Sequence, residues 1–72
     1  MKIFLNGKEE FLNQPQTIEE LRLAKRWEPA RIVVELNLEI IAKEEWTLIV
    51  LKENDQLEVL SFVGGGSGRI HD

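Results

Sequence analysis

Apolar residues along this chain fall in short clusters, each closed by residues that favour turns. The first cluster is Ile3, Phe4 and Leu5 within residues 2–6, and it stops at Asn6-Gly7. An Asn-Gly pair between apolar segments signals a hairpin, because both positions readily accept positive φ. A returning strand is expected over residues 8–12, with Phe11 and Leu12 as its apolar content, ended by Asn13-Gln14-Pro15-Gln16.

The period then changes. Thr17-Ile18-Glu19-Glu20 reads as a capping box: the Thr17 hydroxyl accepts from the N–H of Glu20, and the Glu20 side chain reaches back to the N–H of Thr17. Ile18, Leu21 and Ala24 follow at helical spacing, while Lys25 and Arg26 suit the negative end of a helix dipole. Pro29 blocks continuation and biases Glu28 away from helix. One helix is therefore predicted over residues 18–26.

Residues 31–36 hold Ile32, Val33, Val34 and Leu36, a β-branched composition that predicts a strand. Asn37 suits a turn, with a short strand over residues 39–41. Residues 43–46 suggest a single helical turn and residues 47–51 a further extended stretch. Asn54-Asp55 marks a tight turn. The last strand, residues 56–63, has apolar residues on both alternating sets, as a central strand does. A lone helix after a hairpin must cover the sheet it has just left. With the last strand parallel to the first, the arrangement is an α+β, ubiquitin-like β-grasp: a mixed sheet of four to five strands with one main helix on one face.

Length and composition narrow the picture further. Seventy-two residues make one domain, with a small core. The expected division is a β-grasp body over residues 1–63 and a flexible glycine-rich tail over residues 64–72. There is no cysteine, hence no disulfide and no thiolate metal site. The formal charge of −4 opposes nucleic-acid binding, which needs clustered Lys and Arg. No apolar run approaches the roughly 20 residues that span a bilayer, and the start of the chain does not resemble a signal peptide. The expected location is the cytoplasm.

Catalytic chemistry finds little support. The one histidine, His71, lies in the tail, where nothing holds it as a general base must be held. The pairs Glu9-Glu10, Glu19-Glu20 and Glu44-Glu45 are adjacent in sequence, so their side chains point apart and read as solvated surface. Trp46 reads as a core or core-edge residue, and Trp27, at a helix end, as less enclosed. The run Gly64-Gly65-Gly66 fits two roles, a linker or a slim arm for a partner's narrow channel. Composition leaves both open.

Taken in order, the early Asn-Gly hairpin, Thr17–Leu21 (Thr-Ile-Glu-Glu-Leu), Val33–Asn37 (Val-Val-Glu-Leu-Asn), Ile40-Ile41, Glu44-Glu45-Trp46, the Asn-Asp turn and Phe62–Gly66 (Phe-Val-Gly-Gly-Gly) form a pattern. Over residues 1–66 it resembles the ThiS sulfur carriers of thiamine biosynthesis, within the wider ubiquitin-like sulfur-carrier family. The resemblance implies a protein co-substrate that is no enzyme and binds no cofactor or metal. The C-terminal carboxylate would be adenylated with ATP by a ubiquitin-activating-like adenylyltransferase of the ThiF type. Sulfur from a persulfide donor protein would convert it to a thiocarboxylate for a thiazole synthase of the ThiG type.

On this resemblance Gly66 carries the sulfur, and Gly64 and Gly65 thread the activating enzyme's channel. Docking is expected near the tail, at Leu60, Phe62 and Val63. Alternation puts Leu60 and Phe62 on one face of the last strand. Phe62, at the strand's exit, reads as interface, whereas Leu60 fits core and interface equally. The alternatives are a molybdopterin-type sulfur carrier and a non-covalent β-grasp interaction module. The chain departs from the pattern by continuing past Gly66 with Ser67-Gly68-Arg69-Ile70-His71-Asp72. With Ser67 attached, Gly66 has no free carboxylate. Either a protease removes these residues, or they were added artificially, or the chain is not an active carrier as written.

Overall fold

The computed structural model describes residues 1–63 and 66–69, with side chains as far as Phe62. Asn6 and Gly7 both have positive φ, 50° and 83°, and the turn they make joins β1 (Lys2–Leu5) to β2 (Lys8–Phe11) in an antiparallel pair. Helix α1 (Ile18–Lys25) opens with the expected capping box, Glu20 N to Thr17 Oγ1 at 3.0 Å and Thr17 N to Glu20 Oε1 at 2.9 Å. It ends on Arg26 in the left-handed region, one residue earlier than predicted, before a 3-10 turn at Pro29–Arg31. Then come β3 (Ile32–Leu36), β4 (Glu39–Ile41), a second 3-10 turn at Lys43–Glu45, and β5 (Gln56–Val63).

The sheet runs in the order β2-β1-β5-β3-β4, with β5 parallel to β1 and antiparallel to β3. β5 is thus central and α1 covers one face of the sheet, the β-grasp arrangement. Two asparagines help fix the position of β5. Asn6 accepts from Val59 N at 2.8 Å and donates to Val59 O at 3.4 Å, extending the β1 edge by one side chain. Asn37, φ 50°, accepts from Gln56 N at 2.9 Å and donates to Asp55 Oδ1 at 3.0 Å. Each turn asparagine therefore does two jobs: it adopts positive φ, and its amide satisfies groups at β5.

Between helix and sheet lies a core that includes Ile3, Leu5, Ile18, Leu21, Val34, Leu51, Leu57 and Val59. Trp46, 2% exposed, donates its indole N–H to Ile41 O at 3.1 Å. Trp27 is also in the core at 8% exposure, more enclosed than its place at a helix end suggests. Ala24, read as part of the apolar helix face, is exposed. The helix is short, and its inward stripe is only Ile18 and Leu21. A salt bridge of 3.0 Å between Lys25 and Glu10 ties α1 to β2.

Two expectations need revision. Residues 47–51 form no strand; Val50 makes only an isolated bridge to Thr17. The chain here does other work: Ile18 N donates to Ile49 O, and Glu19 N to Trp46 O just before the segment, both at 3.1 Å. These carbonyls thereby satisfy helix N–H groups that have no partner within the helix. The second revision concerns the region past Val63, where no strand was predicted. The backbone of β6 (Gly66–Arg69) pairs antiparallel with β5. Residues 64, 65 and 70–72 of the expected tail lie outside the described residues.

The physical reason for β6 is a vacant edge. Along residues 57–61 one edge of β5 is held by β3. On the other edge, β1 is paired only at Gln56 and Leu57 before Asn6 reaches Val59. Beyond that point the backbone of β5 can accept a further strand, and β6 takes positions Leu60 to Val63.

Candidate functional site

Alternation along β5 separates two sets of side chains. Leu57 and Val59 are buried under the helix, at 1% and 0% exposure. Glu58, Leu60 and Phe62 lie on the opposite face. Leu60 is half-buried and Phe62 is 48% exposed. Val33 stands directly across from Leu60 and Glu35 across from Glu58, so both join the helix-free face. Half-buried Phe4 and exposed Ile40 extend it through β1 and β4.

This face mixes apolar side chains with charged ones. Glu35 and Glu58 are cross-strand partners, so two carboxylates share the face with Val33 and Leu60. Lys2 lies 3.5 Å from Glu9 and 5.1 Å from the centre of the Phe4 ring, so its cation sits at the rim of an apolar patch. On the helix, Arg22 donates to Glu19 through Nε at 3.2 Å and through its NH2 group. Hydrogen bonding to Glu19 raises the Arg22 guanidinium above its ordinary pKa, and it stays cationic. That pair lies away from the open face and acts as helix surface.

Of the expected docking residues, Leu60 and Phe62 share this open face. Val63 is placed by its backbone alone, opposite Gly66. Gly66 begins β6, so its backbone lies beside the end of β5. Gly64 and Gly65, expected in the partner's channel, fall outside the described residues, as does His71. Sequence reasoning missed Val33 and Ile40 as members of the same surface. Their signal was available only through register, since β3 read alone does not reveal which of its faces the helix covers. Among the described residues no group of three or more His, Cys, Asp or Glu side chains could hold a metal, and no helix is long and apolar enough to cross a membrane.

A central strand that delivers its C-terminal end to a glycine run is a feature that known proteins can be compared on. Residues 3–66 match the model of the ThiS family. The chain belongs to that family. Over 63 residues it is 38% identical to the sulfur carrier protein ThiS of Bacillus subtilis, covering 86% of this chain and 96% of that one. The crystal structure of the thiamine biosynthesis protein ThiS from Geobacter metallireducens superposes with a TM-score of 0.80 at 30% identity. That likeness covers 92% of this chain and all of the other. A further similarity, 34% over 67 residues, is to the thiazole synthase of Paramagnetospirillum magneticum. The chain spans about a fifth of the length of the thiazole synthases it matches.

Proposed function

We propose that this protein, in a form ending at Gly66, is a sulfur carrier for thiazole formation in thiamine biosynthesis. It acts as a co-substrate and not as an enzyme. The observation that carries this reading is the family match, which spans the whole body and closes on Gly66. Similarity to a ThiS of known role and to thiazole synthases supports the pathway.

The chemistry follows from the weakness of a carboxylate as an electrophile. An ATP-dependent adenylyltransferase joins the Gly66 carboxylate to the α-phosphate of ATP, and pyrophosphate leaves. The mixed anhydride now has a good leaving group. The terminal sulfur of a persulfide donor attacks the acyl carbon and AMP departs. Cleavage of the remaining S–S bond by a thiol leaves a thiocarboxylate, whose sulfur passes to thiazole synthase. Gly64 and Gly65 serve as the slim arm, because glycine admits close backbone approach in a narrow channel. Leu60, Phe62 and Val63 supply the docking surface beside it, where apolar groups rimmed by charge mark a binding site.

The test is an intact mass. Protein ending at Gly66, incubated with ATP, its activating enzyme and a persulfide donor, gains about 16 Da as sulfur replaces oxygen at the carboxyl group. No gain with an enzyme proven active on another carrier sinks the proposal.

A further inference from the structure

The family match stops at residue 66, and this chain continues with Ser67. Gly66 can offer a carboxylate only after the amide joining it to Ser67 is hydrolysed. The structure adds where that amide lies. Val63 is paired with Gly66 and Phe62 with Ser67, so the residues on both sides of the bond belong to the β5–β6 ladder. Peptide groups in a ladder are not free to join the extended backbone pairing through which binding clefts commonly take up a peptide.

We propose that the Gly66–Ser67 peptide bond is a processing site for an endopeptidase, and that the β5–β6 hairpin shields it until β6 peels away. This rests on Gly66 being the residue activated. In the cut, the oxygen of water adds to the Gly66 carbonyl carbon and the C–N bond breaks. Gly66 is left as a carboxylate, and the amine of Ser67 takes up the proton.

Two features make β6 suited to this role. It occupies only the stretch of β5 that β1 leaves vacant, and among the described residues it has no second neighbour in the sheet. Two of its four residues are glycine, which weakens a strand interior. Such an element opens without unfolding the body. Once the bond is cut, three of the four paired positions (Ser67, Gly68 and Arg69) are lost. Gly66 alone cannot keep the ladder, so one hydrolysis both creates the reactive end and uncovers the backbone edge of Leu60 to Val63. The step runs one way.

The experiment has two readouts that do not involve sulfur. Protein isolated from the cells that make it is weighed intact, and its C-terminus is expected at Gly66. Recovery of the chain with Ser67 attached overturns the processing site. In the second arm the full chain and its Gly68→Pro variant are incubated in extract of the same cells, and the cut after Gly66 is followed by mass. Proline cannot donate to a ladder, so the variant is expected to be cut roughly three- to tenfold faster, the change in open population from losing one ladder bond. Unfolded peptides of residues 60–72, with and without the proline, are expected to be cut at equal rates. Equal rates for the two folded chains, or the same ratio in the peptides, overturns the shielding. Failure of the sulfur-loading assay on protein ending at Gly66 would instead sink the carrier reading and leave the mass result standing.

Discussion

The two faces of β5 present opposite solutions to the same strand. Toward the helix, Leu57 and Val59 are fully enclosed by Ile3, Leu5, Ile18 and the rest of the core. Toward the open side, Leu60 and Phe62 stand beside a facing pair of carboxylates, and Phe62 is 48% exposed. Both faces carry apolar residues, so hydrophobicity does not separate them. What separates them, among the described residues, is that the helix covers only one of the two faces. The closed face holds the body together, and the face without the helix is the one we propose for docking.

Substitutions can break that contrast or sharpen it. The largest effect on folding is expected for Leu57→Ala, a truncation in the closed core that costs about 2–5 kcal/mol, read as a lowered denaturant midpoint. Asn6→Ala removes both side-chain bonds to Val59 and puts a Cβ-bearing residue without a compensating amide at positive φ; about 1–3 kcal/mol is expected. Thr17→Ala loses one half of the capping box and should cost about 1 kcal/mol. Phe62→Ala should change stability least, by less than about 1 kcal/mol, yet, with Phe62 in its proposed docking role, weaken binding to the proposed activating enzyme by about tenfold or more. A Phe62→Ala protein that unfolds as readily as Leu57→Ala would erase the distinction between the faces.

Much of the fold was legible wherever one residue type performs a local task. Asn6-Gly7 accepts the hairpin dihedrals, Thr17 and Glu20 close the helix start, and the β-branched run over β3 pairs as a strand. Features set by neighbours were not legible. No pattern within residues 46–51 says that the carbonyls of Trp46 and Ile49 will meet the first N–H groups of α1. Trp27 is enclosed because the chain beyond the helix folds back, which its position at a helix end conceals. The strand β6 was hidden for a different reason: glycine has no side chain from which alternation can be read. Its place depends on how early β1 leaves the edge of β5. For the site, Leu60 and Phe62 were found by counting in twos along one strand, whereas Val33 and Ile40 needed the register between strands.

The amide of Asn6 also bears on how the protein ages. An asparagine followed by glycine is prone to lose its side-chain nitrogen when the next backbone nitrogen attacks the amide carbon, and asparagine is among the heat-labile residues. Here that amide is engaged with Val59 from both its oxygen and its nitrogen, which restrains it from turning toward Gly7. Deamidation at Asn6 should therefore be slower in the folded protein than in a peptide of the same sequence. Where it does occur, the new carboxylate meets the Val59 carbonyl as one acceptor against another, and the contact between the β1–β2 turn and β5 is weakened.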